Sequence, residues 1–213
     1  MPGPERGGTG AARERAFVLL SALGAANMAT ISLRQLGAIG HLPDPPLRNF
    51  EADRVTVDRA AWIFGIPDAP LETASHLANL PLVRLASGAV GERHPWLPLL
   101  LGAKTAAEAA IALWYFEHMR TRVGAWCAYC ILGAGINVAL AALALPAARR
   151  AGPRTHPAAV AGIAALVVAG VMLWRAGRGR TRLPLVGRTI GVLGEHGDEA
   201  RTTDTRTAEI VHA

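Results

Sequence analysis

The two cysteines of this 213-residue chain, Cys127 and Cys130, lie two residues apart in the segment GAWCAYCILGAGINVAL. Such a C-x-x-C pair can cycle between dithiol and disulfide and so transfer two electrons. The attacking species is a thiolate, which is stabilised at the positively polarised start of a helix. Ten uncharged residues, 131–140, follow the pair and would form an apolar wall suited to a lipid-soluble quinone. The spacing therefore predicts a redox-active pair at the start of a hydrophobic helix.

Other uses of a lone cysteine pair have less support in this sequence. A metal site would need about two further ligands, and the histidines form no H-x-x-H pair that could supply them. Covalent haem attachment requires a histidine directly after the second cysteine, where this chain has Ile131. Two inert buried thiols remain an open alternative, because a free cysteine often behaves as a small hydrophobe.

The composition places the pair in a membrane protein. Hydrophobic residues make up 51% of the chain, and the mean hydropathy is +0.27, unusually high for a soluble domain. The net charge of +6 comes from arginines that flank apolar runs, without forming a stripe interleaved with aromatic residues. We therefore expect the chain to bind the lipid bilayer and no nucleic acid.

Five apolar segments are long enough to cross a bilayer at about 1.5 Å per residue. They predict an all-α membrane protein, a four-helix transmembrane bundle with a peripheral fifth span and a short interfacial half-helix. The predicted spans cover about 16–40, 69–90, 95–118, 126–148 and 157–175, and the half-helix covers about 54–64.

Polar, charged or helix-breaking residues interrupt two of these spans. Glu72, His76 and Pro81 make the second span the weakest. Lys104 and Glu108 in the third span are four residues apart, so they share one helix face and can neutralise each other. A proton path through this pair is the functional alternative to a structural ion pair.

The two ends of the chain are polar. Residues 1–15 are rich in Gly and Arg and are predicted to form a disordered head, and residues 176–213 are predicted to form a flexible tail. The basic start and apolar stretch of the first span also fit a cleavable signal peptide, although the uncharged run is longer than a usual signal core.

The arginines predict how the spans are oriented, because arginine-rich loops tend to stay in the cytoplasm. This rule places the connection 42–67 and both cysteines on the outer side of a bacterial-type plasma membrane. The arginines that follow the fifth span do not obey this rule, because an odd number of spans places them on the outer side. The inward arginines are Arg13, Arg15, Arg84, Arg93, Arg149, Arg150 and Arg154.

The segment WCAYCILGAGINVAL resembles the fourth transmembrane helix of the vitamin K epoxide reductase family, whose active C-x-x-C opens that helix. The order of elements and the FGIP segment at 64–67 are also similar, and the similarity extends over residues 16–175. The resemblance implies that Cys130 faces a quinone and that Cys127 exchanges with an incoming dithiol. Ala134 takes the position where members often have a tyrosine that hydrogen-bonds the quinone. Asn137 is a candidate quinone contact or a hydrogen-bond link between helices.

The chain departs from that family pattern in its outer loop. Members commonly carry a second cysteine pair there, whereas this loop offers Asp53, Thr56 and Asp58, and no thioredoxin-like domain is expected after the fifth span. Two functions follow. One is a thiol-quinone oxidoreductase that couples disulfide formation to quinone reduction, with an external dithiol or a thioredoxin-like protein as its donor. The other is a non-catalytic membrane scaffold or partner-binding bundle. A transporter is disfavoured because the sequence has no paired broken helices.

Overall fold

The computed structural model describes residues 5–178 of the chain, with side chains from residue 10 onward. Within this part, the structure consists of seven α-helices and one two-stranded antiparallel hairpin. The elements are α1 (Glu5–Gln35), α2 (Ala52–Thr56), β1 (Trp62–Ile63), β2 (Ile66–Pro67), α3 (Asp68–Ala86), α4 (Gly88–Arg93), α5 (Trp96–His118), α6 (Ala128–Ala151) and α7 (Pro157–Gly177).

Helices α1, α3, α5 and α6 form the bundle. Phe17, Val83, Leu101 and Leu140, one from each helix, meet in its central core. Helices α5 and α6 approach closely at Gly102, where an added Cβ atom would lie 2.4 Å from the Cβ of Ala148. Small residues at this contact allow the two backbones to approach closely, which is typical of membrane helices.

Four helices in the described part of the chain are long and apolar enough to cross a membrane, which confirms the predicted all-α membrane fold. Helix α3 is not among them, yet it packs along α1 and α5 inside the bundle. Helix α7 packs on α5 at the periphery, and only 6% of its apolar window is buried. The four candidate spans are Gly10–Gln35, Trp96–Val123, Ala128–Arg154 and Pro157–Gly177.

Several boundaries differ from the predicted ones. Helix α1 begins at Glu5, so residues 5–15, predicted to be disordered, are helical, and Glu14 forms an ion pair with Arg84 of α3 at 2.8 Å. The first helix ends at Gln35 instead of about residue 40. The second predicted span is divided between α3 and α4, and Gly88, the first residue of α4, has a positive φ of 65°. The predicted tail after residue 178 lies outside the described residues.

The predicted half-helix at 54–64 is replaced by irregular structure. Helix α2 ends at Thr56, a 3-10 turn follows, and the β1–β2 hairpin closes through Phe64 and Gly65. Both turn residues have positive φ angles, 52° and 79°, as a type I′ hairpin turn requires. The Phe64 N–H donates to the carbonyl of Gly177 at 2.8 Å, so the end of α7 docks on this hairpin. Of the apolar residues whose spacing suggested a helix, Ala60 and Ala61 are buried, whereas Val57 and Phe64 are exposed.

Candidate active site

A tight turn between α5 and α6 positions the cysteines. Helix α5 continues into a π turn, and the Gly124 N–H donates to the carbonyl of Met119 at 2.9 Å. Gly124 adopts a φ of +69°, a conformation that residues with a side chain rarely adopt. Cys127 then caps the start of α6, and Cys130 lies in its first turn. The predicted position of the pair at a helix start is therefore what the structure shows.

Cys127 is fully buried, with 0% of its surface exposed. Its Sγ accepts a hydrogen bond from the backbone N–H of Cys130 at 3.1 Å, the geometry of a helix cap. It packs with Leu42, Ala52 and Val55 of the long loop between α1 and α3 in one hydrophobic cluster. Both cysteines are free thiols in the structure. A dithiol can reach Cys127 only after the loop moves away.

This loop, residues 36–67, is held directly against the segment before Cys127. The Trp126 N–H donates to the carbonyl of Asn49 at 2.8 Å, and the Glu51 N–H donates to the carbonyl of Trp126 at 2.9 Å. The Asp44 carboxylate accepts from the Ala52 N–H at 2.9 Å and so caps α2. The loop therefore lies as a strap over the cysteine pair.

Asp53 clamps the base of this strap to α1. Its carboxylate accepts hydrogen bonds from the Arg34 Nε at 2.6 Å and from the Leu42 N–H at 3.1 Å, and the ring of His41 contacts its second oxygen. Burial raises the pKa of Asp53, but these hydrogen bonds outweigh burial and lower the pKa below the ordinary value of 3.8. The position where a relay thiol would be expected holds an ionic clamp.

Loosening this clamp is expected to expose Cys127. In Asp53→Ala, we expect Cys127 to be alkylated about 5- to 30-fold faster at neutral pH, the effect of losing 1–2 kcal/mol of loop docking. The matched control is Glu51→Ala in the same loop, since Glu51 is exposed and pairs only with Arg54 at 3.5 Å. An unchanged alkylation rate in Asp53→Ala would contradict the clamp.

The same clamp is expected to weaken in acid. The pKa of Asp53 is lower in the folded state than in the unfolded state. The stability that the ionised carboxylate contributes is therefore fully present at pH values above the unfolded pKa. It is lost as the pH falls below 3.8 and through the folded pKa. Pepsin cleavage within residues 40–56 should accelerate in the wild type over this pH window. The Asp53→Ala loop should already be cleaved rapidly at the upper end of the window.

On its other side, the pair opens onto a cleft. Cys130, half-buried, faces this cleft at the end of the bundle where the loop lies. The cleft is formed by four bundle helices and the loop, and its walls are mostly apolar. Its lining residues are Met28, Ile31, Gln35, Val55, Thr56, Ala61, Asp68, Ala69, Glu72, Ala112, Tyr115, Met119, Cys130, Gly133 and Ala134.

A few polar groups interrupt the apolar lining. The Gln35 Nε2 donates to the Asp68 carboxylate at 2.9 Å and to the carbonyl of Thr56 at 3.1 Å. The Tyr115 hydroxyl donates to the carbonyl of Ala60. An apolar cleft with a few hydrogen-bonding groups suits a flat ring that carries carbonyl oxygens, such as a quinone.

The two predicted quinone contacts occupy different places. Ala134 lines the cleft one turn after Cys130. Asn137 is not among the lining residues, and its Nδ2 donates to Glu72 Oε1 at 2.7 Å, which links α6 to α3. The link between helices is therefore present, and a contact between Asn137 and a quinone stays a prediction.

Asp68 and Glu72 line the cleft, although the hydropathy pattern indicated only that Glu72 and His76 interrupt a span. The spacing of Asp68, Glu72 and His76, four residues at each step, places all three on one face of α3, and this regularity is visible in the sequence.

The comparisons with known proteins bear on these elements directly. The family model described as the vitamin K epoxide reductase family matches residues 15–145, which is more than half of the chain. No curated protein matches the chain. The matched segment contains both cysteines and every residue that lines the cleft, and it ends before α7 begins.

Proposed function

The chain belongs to the vitamin K epoxide reductase family, and on that premise we propose that it is a membrane thiol-quinone oxidoreductase acting through Cys127 and Cys130. Membership supports a quinone-linked redox role in general terms. The main support for the specific proposal is that the two cysteines lie in different environments. Cys127 lies under a loop on the aqueous side, and Cys130 lines an apolar cleft inside the bundle.

The reaction has two balanced halves. A thiolate of an external dithiol attacks the Cys127 sulfur of the Cys127–Cys130 disulfide, and its second thiol resolves the mixed disulfide. The donor leaves as a disulfide and the pair becomes a dithiol. Cys127 and Cys130 then close their disulfide again, giving two electrons to a quinone held in the cleft, which with two protons becomes a quinol.

The outer loop decides which donor can act. Because it carries no cysteine, the electrons must come from a separate dithiol, such as a thioredoxin-like protein, that meets Cys127 once the strap has opened. We place this exchange on the outer side of a bacterial-type plasma membrane. The distribution of arginines supports this side, since the Glu14–Arg84 pair lies at the opposite end of the bundle from the cysteines.

The test is an assay of quinol formation by the purified protein in lipid nanodiscs with dithiothreitol and a short-chain quinone. We expect one quinol per dithiol oxidised, above the rate of the uncatalysed reaction. Protein whose two thiols were alkylated after reduction supplies the background. Where Cys127 and Cys130 are replaced by serine in this assay, Gly135→Ser is the control for a new hydroxyl on α6, because Gly135 is exposed and an added Cβ would meet nothing within 4 Å. A wild-type rate equal to that of the alkylated protein would refute the proposal.

The non-catalytic scaffold is the second candidate, because Cys127 is completely buried and the loop lacks a relay pair. Differential alkylation in intact cells separates the two functions. An oxidoreductase shows a mixture of oxidised and reduced pairs that shifts when a quinone or a dithiol is added. A scaffold shows a pair that stays reduced under both additions.

A further inference from the structure

A column of polar side chains leaves the cleft and runs down the interior of the bundle. Asp68, Glu72, His76 and Asn79 lie on one face of α3, and the first two also line the cleft beside Cys130. Eleven residues of helix separate the first from the last, about 16 Å along the axis. The column therefore reaches from the cleft to the middle of the bundle.

His76 is the central member and has no hydrogen-bond partner. It is 1% exposed, and neither ring nitrogen is paired within the described part of the chain. Its Nε2 lies 3.8 Å from Glu72 Oε1, a separation at which a bridging water or a small rotation completes a hydrogen bond. Gly24 of α1 makes room for the ring, since a Cβ there would lie 2.5 Å from His76 Cε1.

The column continues onto α5 through a charged pair. Lys104 Nζ donates to Asn79 Oδ1 at 2.7 Å and to Glu108 Oε1 at 2.6 Å, and Ser75 also donates to this carboxylate. The Asn79 Nδ2 and the second oxygen of Glu108 are buried without partners among residues 10–178.

Helix α1 supplies the next polar group towards the far end. It runs antiparallel to α3, with Gln35 bonded to Asp68 at one end and Glu14 paired with Arg84 at the other. This register places Ser21 at about the level of Asn79. Ser21 is 0% exposed, and its hydroxyl has no partner in the described structure.

Packing alone does not require this arrangement. Ionisable groups at membrane depth are costly, and those that persist mark ion or proton routes. A pair such as Lys104 and Glu108 can satisfy itself, but His76 and Ser21 add buried polar atoms with no protein partner in the described residues. Buried polar atoms without partners are typically satisfied by internal water, and a chain of waters and side chains transfers protons.

Resting on the proposed function, we infer that this column conducts protons from the Glu14–Arg84 end of the bundle to a quinone in the cleft. The two thiolates of Cys127 and Cys130 give two electrons and form their disulfide. The two protons that complete the quinol arrive through the column, and the two thiol protons leave on the loop side. Each turnover thus takes up two protons on one side of the membrane and releases two on the other.

Proteoliposomes test this inference. The protein is reconstituted with a lipophilic quinone, a pH dye is trapped inside, and a membrane-impermeant dithiol peptide is added outside. Only molecules whose Cys127 faces outward react, so their Glu14–Arg84 end faces the lumen. We expect the lumen to become more alkaline by two protons per quinol formed. Quinol formation without a change in lumen pH would overturn the inference.

Two isosteric or near-isosteric variants locate the path. In Glu72→Gln and in His76→Gln, we expect the initial rate of lumenal proton uptake to fall about 100-fold, the lower end of what positioned proton-transfer groups contribute. Exchange of the dithiol peptide with the pair, measured without quinone, should keep its wild-type rate in His76→Gln, which lies outside the cleft lining, and show that this variant is folded. Glu92→Gln and His94→Gln are the matched controls, because both residues are exposed on the α4 side of the bundle.

Two outcomes separate the two proposals. If the wild type forms no quinol, the proposed function fails and the inference fails with it. If it forms quinol and Glu72→Gln and His76→Gln keep full lumenal uptake, only the inference fails. Gly24→Ala, which displaces the His76 ring and leaves both ionisable groups in place, should slow lumenal uptake if the column is the path.

Discussion

Replacing Cys127, Cys130 or both by serine is expected to lower dithiol-dependent quinone reduction to the same residual rate, more than about 100-fold below the wild type. The two sulfur atoms act as a unit, because loss of either one prevents the disulfide from closing. Removing the second cysteine therefore adds nothing to the loss. The measurement is quinol formation in nanodiscs. A single variant that stays clearly more active than the double variant would show that one thiol suffices.

The two single variants should differ in what they accumulate. In Cys130→Ser, the remaining Cys127 thiolate lies under the loop, and we expect it to attack the added disulfide form of the donor, which releases one donor thiolate and leaves Cys127 in a mixed disulfide. In Cys127→Ser, the remaining thiol lines the apolar cleft and should react with a lipophilic maleimide faster than with a charged one. The reverse pattern would exchange the roles assigned to the two cysteines.

The sequence predicted the features that depend on local periodicity. Apolar runs indicated the helices, and the four-residue spacing of Lys104 and Glu108 indicated an ion pair, which the structure shows at 2.6 Å. The C-x-x-C ahead of an uncharged run correctly indicated a helix start at Cys127. Each of these follows from residues within one or two helical turns.

Features that depend on distant contacts were not predictable in this way. The strap exists because Asn49 and Glu51 bond to Trp126, residues far apart in the chain. Phe64 adopts a positive φ although it is not glycine, because the hairpin and the docked end of α7 hold it there. A pattern of apolar residues alone cannot distinguish such a docked hairpin from a short amphipathic helix.

The polar column through the bundle was predictable from the sequence only in part. Its spacing on α3 was visible, but its meaning depends on which groups face it from α1 and α5. Asn79 carries no signal in the sequence, and its place in the column depends on the hydrogen bond that it accepts from Lys104. A membrane helix with weak hydropathy can therefore be one that lines an internal polar path. A weak signal does not by itself mean that the span was assigned wrongly.

Breaking the Lys104–Glu108 pair is expected to destabilise the bundle strongly. In Lys104→Met, we expect the free energy of unfolding to fall by about 3 kcal/mol, because a carboxylate is left in the bundle beside Ser75 without its cation. In the double variant Lys104→Met/Glu108→Leu, no charge remains, and most of that loss should be recovered. Unfolding in mixed micelles by a denaturing detergent measures all the members of this double-mutant cycle.

The exposed pair between Glu117 and Arg120 provides the matched control. Its atoms approach as closely, 2.7 Å, but both side chains are more than half exposed. Arg120→Met should therefore cost much less stability than Lys104→Met, because water screens an exposed ion pair. Equal losses in Lys104→Met and Arg120→Met would show that water reaches Lys104 and Glu108 freely. A large loss at Lys104 alone, recovered in the double variant, would show that the pair offsets the cost of keeping charged groups in the middle of the bundle.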